Sequence, residues 1–290
     1  MNKSENRIVY WLKKNPIAGF ITITFFISYV IGIPFNMFTS GILGNGGEVS
    51  SHVLPRIITV YAPGLTAIIM TVTLSGRDGL SSLLRKLRPE IKHVLWWFII
   101  PVIFSFITFY SYFLGGQSSE HILDVLDKDW QVLFIHFFGQ LLTVGVGEEL
   151  GWRAWLLPRL LEKGNVAFAV ISMIIIWGLW HFPILFNGYK VVLPWIILLI
   201  SLGFILTWLW YKAKGNIFVL AIAHASVNSP IDFMENRLLS IRADHEPLFT
   251  GWSVLSLAYL LIAFTIMISN PKFLSEYIRK ESTDKNLPNL

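Results

Sequence analysis

The side chains of this sequence that could do chemistry are two carboxylates, a guanidinium, two imidazoles and an amide. They fall in three short segments, each inside a stretch that is otherwise apolar. A charged group in a membrane-spanning helix costs about 2.5–3.5 kcal/mol on insertion scales, so it needs a partner or a function to persist. The six residues are Glu148, Glu149 and Arg153 in the first segment, His181 in the second, and His224 and Asn228 in the third.

A carboxylate and an imidazole together can activate a water molecule. Glu148 would act as the general base, and His181 would hold the water or shuttle its proton. His224 and Asn228 are four residues apart and share a helix face, which suits hydrogen bonding to the oxyanion of a tetrahedral intermediate. Glu148, His181 and His224 are also a donor set that Zn²⁺ accepts. The residue types therefore indicate hydrolysis and leave a zinc mechanism and a metal-free glutamate mechanism equally open.

Two features of the first segment indicate structural roles. Glu149 and Arg153 are four residues apart on one helix face, so we expect them to form an ion pair. Glu148 points about 100° away, toward a different neighbour. Gly147 and Gly151 form a small-xxx-small pair that lets another helix approach closely. The tryptophans around His181 are expected to serve as packing or interfacial anchors.

The elements that must position these groups are membrane helices. Hydrophobic residues make up 54% of the 290 residues, only 14% are charged, and the mean hydropathy is +0.60. Soluble domains are about 45–50% apolar and about 25% charged. The apolar residues fall in runs of about 20, the length of a transmembrane helix, and such runs must be helical because lipid offers no hydrogen-bond partners to the backbone. The sequence contains no cysteine, which excludes disulfides, thiolate metal sites and a cysteine nucleophile.

The fold class predicted from these runs is an all-α, polytopic membrane bundle of about eight transmembrane helices. The fourth span is long and Pro158 is expected to kink it, while the seventh is the weakest by hydropathy. The predicted spans are 17–38, 54–75, 93–115, 131–161, 166–186, 191–211, 216–230 and 252–270.

The basic residues predict the orientation. With the N-terminus in the cytoplasm, 18 of the 23 lysines and arginines fall on the cytoplasmic side. The bias agrees at every loop, and it predicts a multi-pass protein of the cell membrane with both termini cytoplasmic. It also explains the net charge of +5 without a nucleic-acid partner. The five residues on the other side are Arg56, Lys128, Lys190, Arg237 and Arg242.

The polar groups fall at similar depths in their spans. At about 1.5 Å per residue, Glu148, His181, His224 and Asn228 lie roughly 20, 22, 12 and 18 Å from the cytoplasmic ends of their helices. Three helices therefore carry polar groups to the middle of the bilayer, which favours a common site over separate helix–helix hydrogen bonds.

The three segments resemble the motifs of a known family. Glu-Glu-x-x-x-Arg, then aromatic-x-x-x-His, then His-x-x-x-Asn, in this order on successive membrane helices, is similar to the CPBP family, which includes type II CAAX prenyl endopeptidases and the bacteriocin-processing and immunity-type "Abi" membrane proteases. The second motif usually opens with phenylalanine, and here it opens with Trp177. The matching positions are Glu148, Glu149, Arg153, His181, His224 and Asn228.

The resemblance implies roles for these residues. Glu148 and His181 would activate water, His224 and Asn228 would stabilise the oxyanion, and Glu149 and Arg153 would support them. It implies an intramembrane endopeptidase with a membrane-associated peptide or lipid-modified protein as substrate. The sequence has no repeat of 20–50 residues and no low-complexity tract, which predicts one domain over residues 1–290 with its motif-bearing core at 131–230.

Two other classes of function accommodate a buried polar cluster. A proton-coupled transporter often shows an internal repeat, and this sequence has no second copy of the cluster. A non-catalytic scaffold or immunity protein would bind a partner protein, but it has no need of a water-activating pair. Membrane lipid and a peptide or lipidated protein are thus the expected partners, and a need for a partner protein is left open.

Overall fold

Every regular element of the described chain is a helix, in a computed structural model that describes residues 6–43, 50–238, 246–271 and Phe273. Seven of the helices are long and apolar enough to cross a membrane. This confirms the predicted all-α membrane bundle. The helices are α1 (Arg7–Lys14), α2 (Pro16–Thr39), α3 (Ser50–Arg85), α4 (Ile91–Leu114), α5 (Ser119–Leu161), α6 (Val166–Trp180), α7 (Tyr189–Lys212), α8 (Ile217–Leu238) and α9 (Glu246–Ser269).

The predicted fifth span, 166–186, is not one continuous α-helix. Helix α6 ends at Trp180, and a 3₁₀ helix follows over Phe182–Phe186. Fifteen residues of α-helix are about 22 Å long, shorter than the hydrocarbon core of about 30 Å. Pro183 stands at the start of the 3₁₀ helix, where its missing N–H removes one α-helical hydrogen bond and disfavours continuation of the α-helix. His181 thus lies at the junction between the α-helix and the 3₁₀ helix.

The predicted seventh span is the most enclosed helix of the bundle. Helix α8 runs past the predicted end at residue 230 to Leu238, and 83% of its most apolar stretch is buried inside the protein. It packs between α4 and α5. A helix surrounded by other helices has little contact with lipid, so it can carry polar side chains and read as weakly hydrophobic.

Two long helices contain breaks that set off their membrane-spanning parts. Gly76 in α3 has a φ of +64°, a conformation that glycine adopts without strain, and it ends the predicted span 54–75. Asp129 departs from helical geometry in α5, next to the predicted start of the fourth span at residue 131. The helix begins earlier than predicted because 119–128 is also helical.

The ends of three helices meet on one side of the bundle. Lys86, just after α3, donates from Nζ to the carbonyl of Ala154 in α5 at 3.0 Å. The amide of Ile217, the first residue of α8, donates to the carbonyl of Lys86 at 2.8 Å. The predicted topology places these ends on the same, cytoplasmic side. Six residues used for that prediction lie outside the described chain: Lys3, Arg242, Lys272, Arg279, Lys280 and Lys285.

Glycines bring α3 and α5 together beneath the first motif. A Cβ added at Gly151 would lie 2.4 Å from Pro63, and one at Gly64 would lie 2.6 Å from the carbonyl oxygen of Gly147. Both distances are shorter than any contact a real Cβ makes. The predicted role of Gly147 and Gly151 in close helix approach is therefore confirmed.

Candidate active site

The two glutamates lie on a short α-helical stretch of α5, Val146–Gly151. π-Helical turns precede it at Leu141–Gly145 and follow it at Trp152–Leu156. Such turns insert an extra residue into a helix and occur often at functional sites. Glu148 and Glu149 are both buried, with exposed fractions of 3% and 0%, so each carboxylate needs partners inside the protein.

Glu149 is bound by two cationic or potentially cationic groups through one oxygen. Arg153 Nη1 donates to Glu149 Oε1 at 2.8 Å, and His224 Nδ1 lies 2.8 Å from the same atom. The predicted ion pair of Glu149 and Arg153 is confirmed, and both side chains are fully buried. An ionised carboxylate only accepts hydrogen bonds, so Nδ1 of His224 carries the proton.

Glu148 points to a different neighbour, as its position on the helix predicts. Its Oε2 atom accepts a hydrogen bond of 2.9 Å from the indole Nε1 of Trp177 in α6. One turn later, His181 Nδ1 lies 2.8 Å from the carbonyl oxygen of Trp177. A carbonyl oxygen cannot donate, so Nδ1 of His181 is the donor and, in the neutral ring, Nε2 keeps its lone pair. Trp177 thus joins Glu148 to His181 by two hydrogen bonds.

The ring of Trp177 lies at the centre of the cluster. The guanidinium of Arg153 stands over it at 4.4 Å from the ring centroid, and the rings of His181 and His224 each meet it edge-on with centroids 5.6 Å apart. Among the described residues, Nε and Nη2 of Arg153 have no hydrogen-bond partner. The cation–π contact partly compensates for that lack.

Trp177 is more than the packing residue that its sequence context predicts, because its indole N–H donates to Glu148. Trp180 behaves as predicted, since its ring packs against Trp152 at 5.6 Å, while its indole donates to Ser28 at 2.7 Å. A buried tryptophan usually finds an acceptor for its N–H. The substitution of tryptophan for the family's phenylalanine was the signal that could have indicated this role.

His181 lies at the broken end of α6, where helix carbonyls need partners. The carbonyl of Trp177 accepts from His181 itself, and that of Trp180 accepts from the hydroxyl of Tyr29. The rings of Trp180 and Trp195 flank His181, with centroid distances of 4.7 and 5.5 Å. The break therefore fixes the orientation of the imidazole. His181 also lies within electrostatic range of Glu148, Arg153 and His224.

Asn228 is joined less closely to the cluster than the other five residues. It lies one turn after His224 on α8 and is half-buried. No hydrogen bond connects it to the other site residues within the described chain. The structure thus brings five of the six predicted residues into a connected network and leaves Asn228 on the same helix face as His224.

The proposed metal ligands do not form a metal site in this arrangement. In the described ranges, no group of three or more histidine, aspartate or glutamate side chains is placed to hold a metal ion, and this includes Glu148, His181 and His224. Hydrogen bonds occupy Nδ1 of both histidines and one oxygen of Glu148.

Two comparisons with known proteins agree with the motifs. Residues 129–230 match the family model described as Type II CAAX prenyl endopeptidase Rce1-like. The chain is also 25% identical over 285 residues to a curated protein of Methanococcus maripaludis named CAAX prenyl protease 2, covering 91% of this chain and 97% of that protein. The matched region contains all six candidate residues and begins two residues from the predicted core.

Proposed function

We propose that this chain is a CPBP-type intramembrane endopeptidase acting on a membrane-associated or lipid-modified substrate, a proposal that its similarity to CAAX prenyl endopeptidases supports. In the proposed reaction, Glu148 activates the water molecule that attacks the peptide bond. The observation that carries the proposal is the pair of hydrogen bonds that links both Glu148 and His181 to Trp177. We propose residues 1–290 as one protease domain in the cell membrane, with both termini cytoplasmic.

The free atoms of Glu148 and His181 support the water-activating role. Glu148 keeps Oε1 and His181 keeps Nε2 as hydrogen-bond acceptors. A water molecule can donate one O–H to each of them, which directs its oxygen lone pair toward a substrate carbonyl. Glu148 takes the proton as the C–O bond forms, and then passes it to the departing amine nitrogen as the peptide C–N bond breaks.

His224 and Asn228 would stabilise the negative charge that develops on the carbonyl oxygen. Because Nδ1 of His224 donates to Glu149, its Nε2 carries a proton only in the imidazolium form. The proposed role therefore requires the imidazolium form of His224. His224 can then donate from Nε2 to the oxyanion, and the side-chain amide of Asn228 provides a second donor one turn away. Glu149 and Arg153 are positioning residues in this scheme.

The surroundings of His181 support an apolar or lipid-modified substrate. The 3₁₀ helix that follows it exposes Phe182, Leu185 and Phe186, and such a surface is suited to acyl or prenyl chains. The relative from Methanococcus maripaludis is named a CAAX prenyl protease, and we propose a prenylated peptide as the first substrate class to test here.

The deciding experiment is cleavage of a fluorogenic peptide library, prenylated and unmodified, by the detergent-purified chain. Wild type is compared with Glu148→Gln and His181→Ala, each with and without a chelator. Glu148→Gln preserves an acceptor for Trp177 but lacks the base. We expect both variants to lose at least about 10²-fold in kcat, the usual contribution of a general base.

The controls separate this proposal from the other classes. Cleavage by Glu148→Gln at the wild-type rate would contradict the role of Glu148. Loss of activity with chelator would show that a metal takes part. If the wild type cleaves no peptide while Glu148→Gln retains the protein's biological role in cells, the result would favour a scaffold function over a protease. Proton uptake by vesicles that contain the reconstituted protein would instead indicate a transporter.

A further inference from the structure

A cavity of about 220 Å³ lies between the end of α3 and the last turns of α5, and none of the six candidate site residues lines it. Two cationic side chains, Lys86 and Arg159, line it together with the hydroxyl groups of Thr71, Ser75 and Ser82. A water molecule takes about 30 Å³ of liquid volume, so the cavity has room for a group as large as a phosphate. Its chemistry is that of an anion site.

Two backbone carbonyl groups of α5 hold the two cations at the cavity wall. Pro158 has no N–H to give to the carbonyl of Ala154 four residues earlier, and Lys86 Nζ donates to that carbonyl at 3.0 Å. Arg159 Nη1 donates to the carbonyl of Trp155 at 2.8 Å, with its guanidinium 3.7 Å from the centroid of the same indole ring. An ammonium has three N–H donors and a guanidinium has five, so both groups retain donors.

Neither cation forms an ion pair within the described chain, although the charge of Glu162 acts favourably on Arg159. Burial and the charge of Arg159 lower the pKa of Lys86 to about 8, which shows that the ammonium lies in an unfavourable environment. In the part of the chain that the structure describes, no carboxylate lies within ion-pairing distance of Lys86 or Arg159. Asp78 lines the cavity as an exposed side chain. A bound anion would relieve the repulsion between the two cations.

The cavity is expected to lie at the level of the lipid headgroups. Both helices end there, and Gly76 breaks α3 so that the basic segment 77–85 departs from the membrane-spanning part. Helix α1 packs on α3 and is amphipathic, with exposed Ile8 and Trp11 and a basic last turn. Helices of this type lie in the headgroup layer, and basic pockets between membrane helices bind phospholipid headgroups.

We propose that this cavity binds the phosphate of an anionic phospholipid headgroup through Lys86 and Arg159. The hydroxyl groups of Ser75 and Ser82 donate to the remaining phosphate oxygens. This lipid site is separate from the peptidase chemistry, and it anchors the junction of α3 and α5 to the cytoplasmic leaflet.

The test measures binding of dioctanoyl-phosphatidylglycerol, dioctanoyl-phosphatidylcholine and inorganic phosphate to the delipidated full chain by native mass spectrometry. We expect phosphatidylglycerol to bind at least about tenfold more tightly than the other two. Arg159→Gln should weaken that binding about tenfold because it removes a charge-assisted hydrogen bond. Arg88→Gln is the matched control: it removes an exposed cation that does not line the cavity, and should change the affinity less than twofold.

A second variant keeps the test decisive if Arg159→Gln folds poorly. Asp78→Asn alters an exposed side chain and removes a negative charge from the wall, so it should tighten phosphatidylglycerol binding about threefold. Equal weakening by Arg159→Gln and Arg88→Gln, or no effect of Asp78→Asn, would overturn the site. Inorganic phosphate binding as tightly as phosphatidylglycerol would overturn the lipid as its source, and equal binding of phosphatidylcholine would overturn the need for an anionic headgroup.

Discussion

Adjacent glutamates in this chain have different partners and therefore different expected roles. Glu149 holds Arg153 and His224 through one oxygen and is completely buried. Glu148 accepts one hydrogen bond, from Trp177, and keeps an oxygen free. At the scale of single residues, one carboxylate balances charge and the other is available for chemistry.

The first prediction compares the two glutamates. Glu149→Gln leaves Arg153 without its anion in a buried position, and breaking such a pair costs about 3–5 kcal/mol. Glu148→Gln removes no ion pair and should cost less than about 1 kcal/mol. Thermal unfolding in detergent should therefore show a large fall in Tm for Glu149→Gln alone, while peptide cleavage is lost in both. Equal Tm values for the two variants would contradict the assignment.

The second prediction concerns Trp177, at the position where the motif of the CPBP family usually has phenylalanine. Trp177→Phe removes the indole N–H that orients Glu148, and hydrogen bonds to charged groups contribute about 1.5–3 kcal/mol. We expect kcat to fall about 10- to 100-fold with little change in KM. The matched control is Trp180→Phe, which removes an indole N–H bound to Ser28 instead. If both variants keep the wild-type kcat, Trp177 has only a packing role.

Helix α5 holds the site because its neighbours approach it closely on two sides. Gly151 and Gly147 face α3, and Gly145 faces α8, where an added Cβ would lie 2.6 Å from the carbonyl oxygen of Ala221. Phe20 of α2 stacks on Trp155 with ring centroids 4.7 Å apart. At the scale of elements, small residues set the spacing of α3, α5 and α8, and aromatic side chains tie α2 to α5.

The third prediction tests this spacing. Gly151→Ala places a methyl group 2.4 Å from Pro63, and overpacking of this kind costs about 1–3 kcal/mol. Gly139→Ala is the control in the same helix, because an added Cβ there meets nothing within 4 Å, and it should be neutral or stabilising by up to about 1 kcal/mol. Thermal unfolding of both variants checks the difference. A Gly151→Ala variant as stable as Gly139→Ala would argue against close contact of α3 and α5.

For the whole molecule, helix length does not by itself give the number of membrane crossings, because α6 is shorter than the hydrocarbon core is thick. Seven helices pass the length and hydropathy criteria. The remaining predicted span, 166–186, consists of α6 followed by a 3₁₀ helix that ends at Phe186. The distribution of basic residues predicts that this segment crosses, because otherwise the loops that follow would change sides.

The fourth prediction therefore concerns topology. The sequence contains no cysteine, so each introduced cysteine is the only thiol in the chain. Glu162→Cys and Asn187→Cys place exposed thiols before α6 and after the 3₁₀ helix. A membrane-impermeant maleimide should label Asn187→Cys in intact cells, and Glu162→Cys only after the membrane is permeabilised. Labelling of both in intact cells, or of neither, would mean that the segment does not cross.

The sequence by itself determined the features that depend on local geometry and composition. Apolar runs of bilayer length predicted the helices, and the four-residue spacing predicted the Glu149–Arg153 pair, because residues four apart lie on one helix face whatever the surroundings. The same geometry separated Glu148 from Glu149. The six site residues followed from their residue types and their similar depths.

Only the tertiary structure decided which groups meet across helices. The bond of His224 to Glu149 and that of Trp177 to Glu148 depend on the rotation and spacing of α5, α6 and α8, which a single helix does not specify. The end of α6 at Trp180 and the length of α8 were decided in the same way. Hydropathy reports the composition of a segment, whereas burial of α8 among other helices and the capping of the α6 carbonyls by His181 and Tyr29 arise from packing.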